Sequence, residues 1–298
     1  MIDINTKFVT LIGTPLGQSF AARMQNAAYN AEGINLQYFY TETDQTHLRE
    51  ILDGIRHMPS FCGCAVTKPN KVAVLSYLDE LDPLCAKMGA CNTVAKTGDG
   101  RLVGYNTDGY GFYRAVDEAQ IPISGATVFC FGAGGAGRAI CSSLAFHGVR
   151  RIYITDVYES NSIALTNDIC SQFDPVALLV ETGEYSAIRE CDIVINATGV
   201  GMGSSIGQSP MPMEYILPHQ IYFDACYNPE KTRFLQNAEE KGCRIMNGLS
   251  MSLYQGVAQA ELWTGKSPVN AMRQELVKII AEGVCESPPV ITETEGAE

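Results

Sequence analysis

Hydrophobic positions along the first third of the chain switch repeatedly between a period of two and a helical period. Phe8-Val9-Thr10-Leu11-Ile12 is an apolar, β-branched run that ends at Gly13 and predicts a strand. Residues 23–31 carry helical spacing closed by Gly33, and residues 36–40 form a second, aromatic-rich strand. Helical spacing returns over 47–56. A third strand covers 63–67 and is stopped by Pro69; a helix is expected over 71–81, and a short strand over 102–105. Such alternation predicts a mostly parallel sheet covered by helices.

A second alternating series follows Pro122. Its strands are expected at 126–131, 151–155, 192–197, 221–225 and 244–246, with a helix over 137–147 between the first two. Two helices close the pattern. One covers 252–264, with Leu253, Val257, Ala260 and Leu262 near one face, and the other covers 269–281. This pair is expected to return and pack on the first unit. The residues from Ser287 to Glu298 are acidic and proline-bearing and read as a frayed tail.

Composition narrows the function. Hydrophobic residues make up 46% and charged residues 18%, a globular balance. A net charge of -12 repels phosphate backbones, which argues against nucleic acid as a partner. No apolar run reaches the ~20 residues that span a bilayer, and residues 1–4 lack the pattern of a signal peptide. A cytoplasmic protein without a membrane partner is expected. The 11 cysteines are scattered, many in apolar runs, and read as reduced core thiols. Cys62 and Cys64 have no matching pair at zinc spacing, so no metal site is expected.

Between the strand 126–131 and the helix 137–147 stands Gly132-Ala133-Gly134-Gly135-Ala136-Gly137, a G-x-G-x-x-G run in the strand-to-helix context that a dinucleotide pyrophosphate requires. The first glycine makes the turn, the second admits the phosphate, and the third allows helix and strand to pack. Asp156 ends the next strand, 24 residues after Gly132, where a carboxylate accepts hydrogen bonds from ribose hydroxyls and repels a 2′-phosphate. NAD is therefore expected over NADP. The fold class that results is α/β: an N-terminal α/β substrate domain plus a Rossmann-type dinucleotide-binding domain, with a cleft between them. Residues 1–109, completed by 250–284, form the substrate-binding and catalytic domain. Residues 110–249 form the NAD-binding domain, and 285–298 the acidic tail.

A nicotinamide partner needs a substrate that yields hydride while a base takes a proton. None of the four histidines sits in a motif-like setting. A lysine oriented by a carboxylate can serve, and two segments supply such a pair: Val66-Thr67-Lys68-Pro69-Asn70-Lys71 and Tyr105-Asn106-Thr107-Asp108-Gly109. Alone, Lys71 reads as a solvated helix start, Asp108 as a helix N-cap and Asn92 as a turn residue.

Taken in order, the segments resemble the shikimate/quinate dehydrogenase family, closest to its quinate/shikimate dehydrogenase branch. Residues 63–71 are similar to that family's G-x-N-V-T-x-P-x-K, residues 89–93 to its G-A-x-N-T, and 104–109 to its G-x-N-T-D-G. Asn196-Ala197-Thr198, Tyr227-Asn228-Pro229 and Leu253-Tyr254-Gln255 fall where the family has them, so the likeness runs from Phe8 to Ile280. The resemblance implies hydride transfer between a nicotinamide cofactor and the secondary alcohol of a cyclic hydroxy acid. Quinate or shikimate would be the alcohol, 3-dehydroquinate or 3-dehydroshikimate the ketone, and aromatic amino acid biosynthesis the setting. It implies Lys71 as acid/base and Asp108 as the carboxylate that shares the hydroxyl and holds the lysine. Asn92 and Gln255 would bond the ring hydroxyls, with Thr67 beside them, and Ser19 would contact the carboxylate. Thr198, Ala225, Tyr227 and Gly248 would line the nicotinamide end, with Met251 near the ring face; Tyr227 would also face the substrate. A homodimer is a further family-level expectation.

The chain departs from the family at Ala21 and Ala22, where Ser-Pro is usual, and at Ala65, Gly199 and Ser250. One hydroxyl donor to the substrate acid is thereby missing, a loss of ~1.5–3 kcal/mol. Phe20 and Arg23 are the candidates to compensate, Arg23 by a bidentate grip on the acid; the alternative is a substrate related to shikimate with a different acid or ring substituent. Two other readings compete. One is a ligand- and dinucleotide-binding regulatory protein on the same fold, without turnover. The other is a methylene-tetrahydrofolate dehydrogenase, which the Asn-Thr-Asp-Gly and Gln255 segments disfavour.

Overall fold

The computed structural model describes residues 2–16 and 19–282, so the expected acidic tail at 285–298 lies outside the described residues. The first half contains β1 (Lys7–Gly13), α1 (Ala21–Ala31), β2 (Leu36–Glu42), α2 (Leu48–Arg56), β3 (Phe61–Val66), β4 (Glu80–Leu81), α3 (Pro83–Met88), β5 (Thr93–Lys96) and β6 (Leu102–Tyr105). Helix α4 (Thr107–Glu118) leads into β7 (Thr127–Phe131), α5 (Gly135–Phe146), β8 (Arg151–Thr155), α6 (Glu159–Gln172), β9 (Ala177–Leu179) and β10 (Ile193–Asn196). Then come β11 (Ile221–Asp224), α7 (Arg233–Glu240), β12 (Arg244–Asn247), α8 (Leu249–Thr264) and α9 (Val269–Ala281).

These strands make two six-stranded sheets. The first has the order β2-β1-β3-β5-β6-β4 and is mixed, because β5 runs antiparallel to both β3 and β6. The second has the order β12-β11-β10-β7-β8-β9 and is parallel throughout. Numbered from β7, that is the doubly wound order 3-2-1-4-5-6. Its topological switch falls between β7 and β10, where such sheets take ligands.

The expected helix over 71–81 is absent. The Lys71 carbonyl accepts from the Cys91 amide (2.8 Å), and the Asp79 amide donates to the Leu102 carbonyl (2.9 Å). Those backbone groups are committed to other segments, so only a 3-10 turn, Ala73–Tyr77, remains before β4 pairs with β6. The chain also forms α3, which Asp82 caps by accepting from the Leu84 and Cys85 amides.

Helices α8 and α9 pack back onto the first sheet. Leu253, Val257, Ala260, Met272, Leu276 and Ile279 share one apolar cluster with Val9, Leu11 and Tyr38. The crossing of α4 over α8 is unusually close. A Cβ at Gly111 would stand 2.6 Å from the Gln255 amide nitrogen and 2.7 Å from the Met251 carbonyl oxygen. Only glycine allows this approach, and it brings the start of α4 against the polar side of α8.

Candidate active site

Beyond β3 the chain turns sharply. The Thr67 amide donates to the Ile12 carbonyl (2.9 Å), and the Asn70 amide to the Thr67 carbonyl (2.9 Å). Asn70, fully buried, donates from Nδ2 to the Thr43 carbonyl (2.9 Å). Held at these points, the turn presents Lys71. Asp108 comes from the first turn of α4. The N-cap there is Asn106, whose side chain accepts from the Gly109 amide (3.3 Å), so Asp108 is not spent on capping. Its Oδ2 accepts from Lys71 Nζ at 2.7 Å.

The pair stands on the wall of a cavity of about 150 Å³ that Thr67, Asn92, Gln255 and Gln259 also line. Asn92 Oδ1 accepts from the Thr107 amide (2.7 Å), the Thr107 hydroxyl (3.1 Å) and the Thr93 hydroxyl (2.9 Å). Its oxygen is thus consumed in the frame, and the side chain can offer a ligand only its Nδ2 donors. Gln255 Nε2 donates to Thr107 Oγ1 (3.4 Å) and Gln259 Nε2 to Thr93 Oγ1 (3.0 Å). Thr93 and Gln259 were not singled out from the sequence. The spacing of four between Gln255 and Gln259, which puts both on one helix face, was the available signal.

A second chamber of about 200 Å³ adjoins the first through Ala21, Gln255 and Gln259, and Ser19 and Gln25 line it. Ser19 Oγ accepts from the Ala21 amide (3.3 Å). Arg23 does not take the place of the missing hydroxyl. Its Nε bonds Glu275 (2.8 Å) and its Nη1 bonds Glu282 (2.5 Å), and it lines neither chamber. Both carboxylates hold its guanidinium firmly charged, with Glu282 the stronger influence.

At the switch point of the second sheet lies a cavity of about 340 Å³, lined by Gly132, Gly134, Asp156 and Thr198 among others. Gly132 has φ 98°, and a Cβ on it would meet the Ala197 carbonyl at 2.8 Å. A Cβ on Gly137 would lie 1.9 Å from the Gly132 carbonyl oxygen, whereas one on Gly134 would meet nothing within 4 Å. That open space sits where α5 begins without a side-chain cap, so a phosphate fits both the room and the free amides. Asp156 accepts from the Ala133 amide at Oδ2 (2.7 Å) and from the Tyr158 amide at Oδ1 (2.9 Å). Each oxygen keeps a lone pair for a ligand hydroxyl.

Ala133, Gly135, Ala136 and Gly137 shape this turn without lining the cavity, and Ala225, Tyr227, Gly248 and Met251 do not line it either. A Cβ on Gly248 would lie 2.1 Å from the Ala225 carbonyl oxygen, so that glycine serves the close approach of two loops. Met251 packs against the cores of both halves. Asn161, Thr182 and Tyr185 line the cavity and carried no recognisable sequence pattern.

A mixed α/β sheet that carries a Lys71–Asp108 ion pair on a polar cavity, joined to a parallel doubly wound sheet with a glycine turn at its switch point, is the architecture of nicotinamide-type dehydrogenases. Residues 11–94 match the family described as shikimate dehydrogenase substrate binding domain, and residues 248–277 match the shikimate 5′-dehydrogenase C-terminal domain. The chain is 39% identical over 288 residues to the shikimate dehydrogenase (NADP(+)) of Desulforamulus reducens, covering 95% of this chain and 98% of that one. A crystal structure of Listeria monocytogenes shikimate 5-dehydrogenase with shikimate and NAD superposes with a TM-score of 0.88 at 37% identity, covering 92% and 98% of the two chains. Quinate dehydrogenase from Corynebacterium glutamicum, in complex with NAD, gives 0.85 at 30% identity, covering 92% and 99%. The chain belongs to the shikimate dehydrogenase family.

Proposed function

We propose that this chain transfers hydride between a nicotinamide cofactor and the secondary alcohol of a cyclic hydroxy acid of the shikimate/quinate class. The observation that carries the reading is the 2.7 Å contact between Lys71 Nζ and Asp108 Oδ2 on the wall of a small polar cavity. In the oxidising direction Lys71 Nζ takes the proton of the reacting hydroxyl. Asp108 holds the amine and shares that hydroxyl. Asn92 donates from Nδ2 to a neighbouring ring oxygen, and Gln255, pinned at Nε2, offers its Oε1 to a ring hydroxyl. A bound nicotinamide supplies the hydride acceptor. Binding alone requires no acid/base pair, which disfavours a regulator without turnover.

NAD is the preferred cofactor in this reading. Asp156 stands on the cavity wall, and no lysine or arginine is among the residues lining it, so a 2′-phosphate would meet a carboxylate without a counter-charge. The relatives named for NADP(+) make this a sharp test. Purified protein is assayed against a panel of cyclic hydroxy acids, each with NAD and with NADP, by the absorbance of reduced nicotinamide. Turnover that favours NAD is expected. Folded protein with no turnover across the panel overturns the dehydrogenase reading, and equal or better rates with NADP overturn the cofactor preference.

A further inference from the structure

The hydride chemistry leaves one cavity unused. It measures about 570 Å³, larger than any of the three described above, and lies where the halves join. Its walls come from the start of α3, the end of β6, α4, the end of α5, and α8. Neither the catalytic pair nor the glycine turn lines it. It meets the catalytic cavity through a shared wall, for Thr107 lines it while donating to Asn92 Oδ1 (3.1 Å) and accepting from Gln255 Nε2 (3.4 Å). A pocket of this size, mostly apolar with a few polar groups, is the usual form of a small-molecule site.

Two features say what fits there. The first is aromatic surface. Tyr105, Tyr110, Tyr113 and Phe146 line the cavity, and Tyr110 and Phe146 are each 44% exposed. The second is charge. Asp82 and Glu261 supply carboxylates, and no lysine or arginine is among the lining residues. Glu261 is already paired with Arg114 (2.9 Å). Asp82 is not: its Oδ2 accepts from the Leu84 (3.0 Å) and Cys85 (3.4 Å) amides, and among the described residues its charge has no ion-pair partner. Burial and then the Asp82 charge raise the Tyr105 pKa, which sets the carboxylate beside that ring and keeps the phenol neutral. Burial also lowers the His147 pKa, so the imidazole on the wall adds no positive charge at neutral pH. An anion entering here would meet an uncompensated carboxylate. A cation gains that charge and the electron-rich faces of the rings together.

We propose that this cavity binds a flat aromatic molecule bearing a protonated amine, its rings against Tyr110 and Phe146 and its ammonium toward Asp82. Such binding requires no hydride transfer, so it stands or falls apart from the dehydrogenase reading.

Three probes with one skeleton and different charge provide the test: 2-naphthylmethylamine, protonated at neutral pH, the uncharged 2-naphthalenemethanol and the anionic 2-naphthoate. Each is titrated by calorimetry into the whole protein, into Asp82→Asn and into Tyr110→Ala. Asp82→Asn keeps an oxygen for the α3 cap and loses the charge. In the unaltered protein the amine is expected to bind about tenfold tighter than the alcohol, and the acid weakest. Asp82→Asn is expected to bring amine and alcohol within about twofold of each other, a ratio that does not depend on the fraction of protein folded. Tyr110→Ala is expected to weaken both by about tenfold. An amine that binds no tighter than the alcohol or the acid, or that keeps its advantage in Asp82→Asn, overturns the charge recognition and the site with it. Binding that Tyr110→Ala leaves unchanged lies elsewhere, as in the cavity beside Asp156 and Tyr158, and overturns it equally. So does the absence of binding by all three probes.

Discussion

The two halves of this molecule build their candidate sites from different material. In the first, the mixed sheet, α4 and α8 deliver side chains: Lys71, Asn92, Asp108 and Gln255 line one cavity from segments far apart in sequence, with Asn92 and Gln255 steadied by Thr93 and Thr107 and Lys71 paired with Asp108. In the second, the all-parallel sheet offers mainly backbone, a turn whose essential feature at Gly134 is a missing side chain. The difference says where each half can change. A side-chain site can change its lining by single replacements, as at Ala21 and Ala65 on the cavity walls, without disturbing the frame. A backbone turn tolerates little, because a Cβ at Gly132 or Gly137 would collide with neighbouring carbonyls.

The strongest way to break this comparison is at Lys71. Lys71→Ala is expected to lower kcat by about 10²–10⁴-fold, the usual worth of general acid–base catalysis, while the Kd for NAD, read by fluorescence titration, stays within about twofold. Activity equal to that of the unaltered protein would remove the lysine from the mechanism. The backbone half is probed by two alanines that differ only in what the new methyl meets. Gly137→Ala puts Cβ 1.9 Å from the Gly132 carbonyl oxygen and is expected to cost about 3 kcal/mol in urea unfolding. Gly134→Ala meets open space. It is expected to leave the unfolding midpoint in place and to weaken NAD by about tenfold, since the methyl takes the room a phosphate would use. If both variants unfold alike, the distinction between packing glycine and phosphate glycine is wrong. Next in size is Asp156→Ser. Removing the charge is expected to lower the NAD-to-NADP ratio of kcat/KM by about tenfold, and an unchanged ratio would place cofactor choice elsewhere.

What could be read from the residues follows the same division. In the second half the five expected strands lie close to β7, β8, β10, β11 and β12, because a parallel strand such as 152–155 is a continuous β-branched and aromatic run and the glycine turn has its own signature. The short edge strand β9 and the helices α6 and α7, by contrast, were not anticipated. The first half was harder. Residues 71–81 have helical spacing, yet bonds to Cys91 and Leu102, distant in sequence, take the backbone groups a helix would use. No local pattern announces such commitments. Asp108 could be named as a functional candidate, but that Asn106 would relieve it of capping depended on where α4 starts, and such boundaries are weakly encoded. Gln259 carried only the weak signal of its spacing from Gln255, for another reason. A buried amide in a helix resembles a surface one until the partner helix is in place.

The joint between the halves permits the finest measurement. Helix α4 packs on α8 in the first half and on α5 in the second. On the α5 side the Tyr113 ring stacks on His147, centroids 3.5 Å apart and planes at 7°, while Ser143 Oγ donates to the Gly109 carbonyl (2.9 Å), one residue from Asp108. Burial lowers the His147 pKa below its ordinary 6.5, against the opposing pull of the Ser143 carbonyl. The folded state therefore binds this proton less readily than the unfolded chain. The stability it contributes is fully present above about pH 6.5 and is lost as pH falls through the lower, folded value. The ring is only half-buried, so solvent screening keeps the effect small, on the order of 1 °C in Tm between pH 7 and 5.5. His147→Gln should flatten that part of the Tm-against-pH curve, and it should also damp any parallel fall in kcat if the joint holds Asp108 in register. A curve of unchanged slope would mean that the stacked pair carries no protonation-linked strain between the two halves.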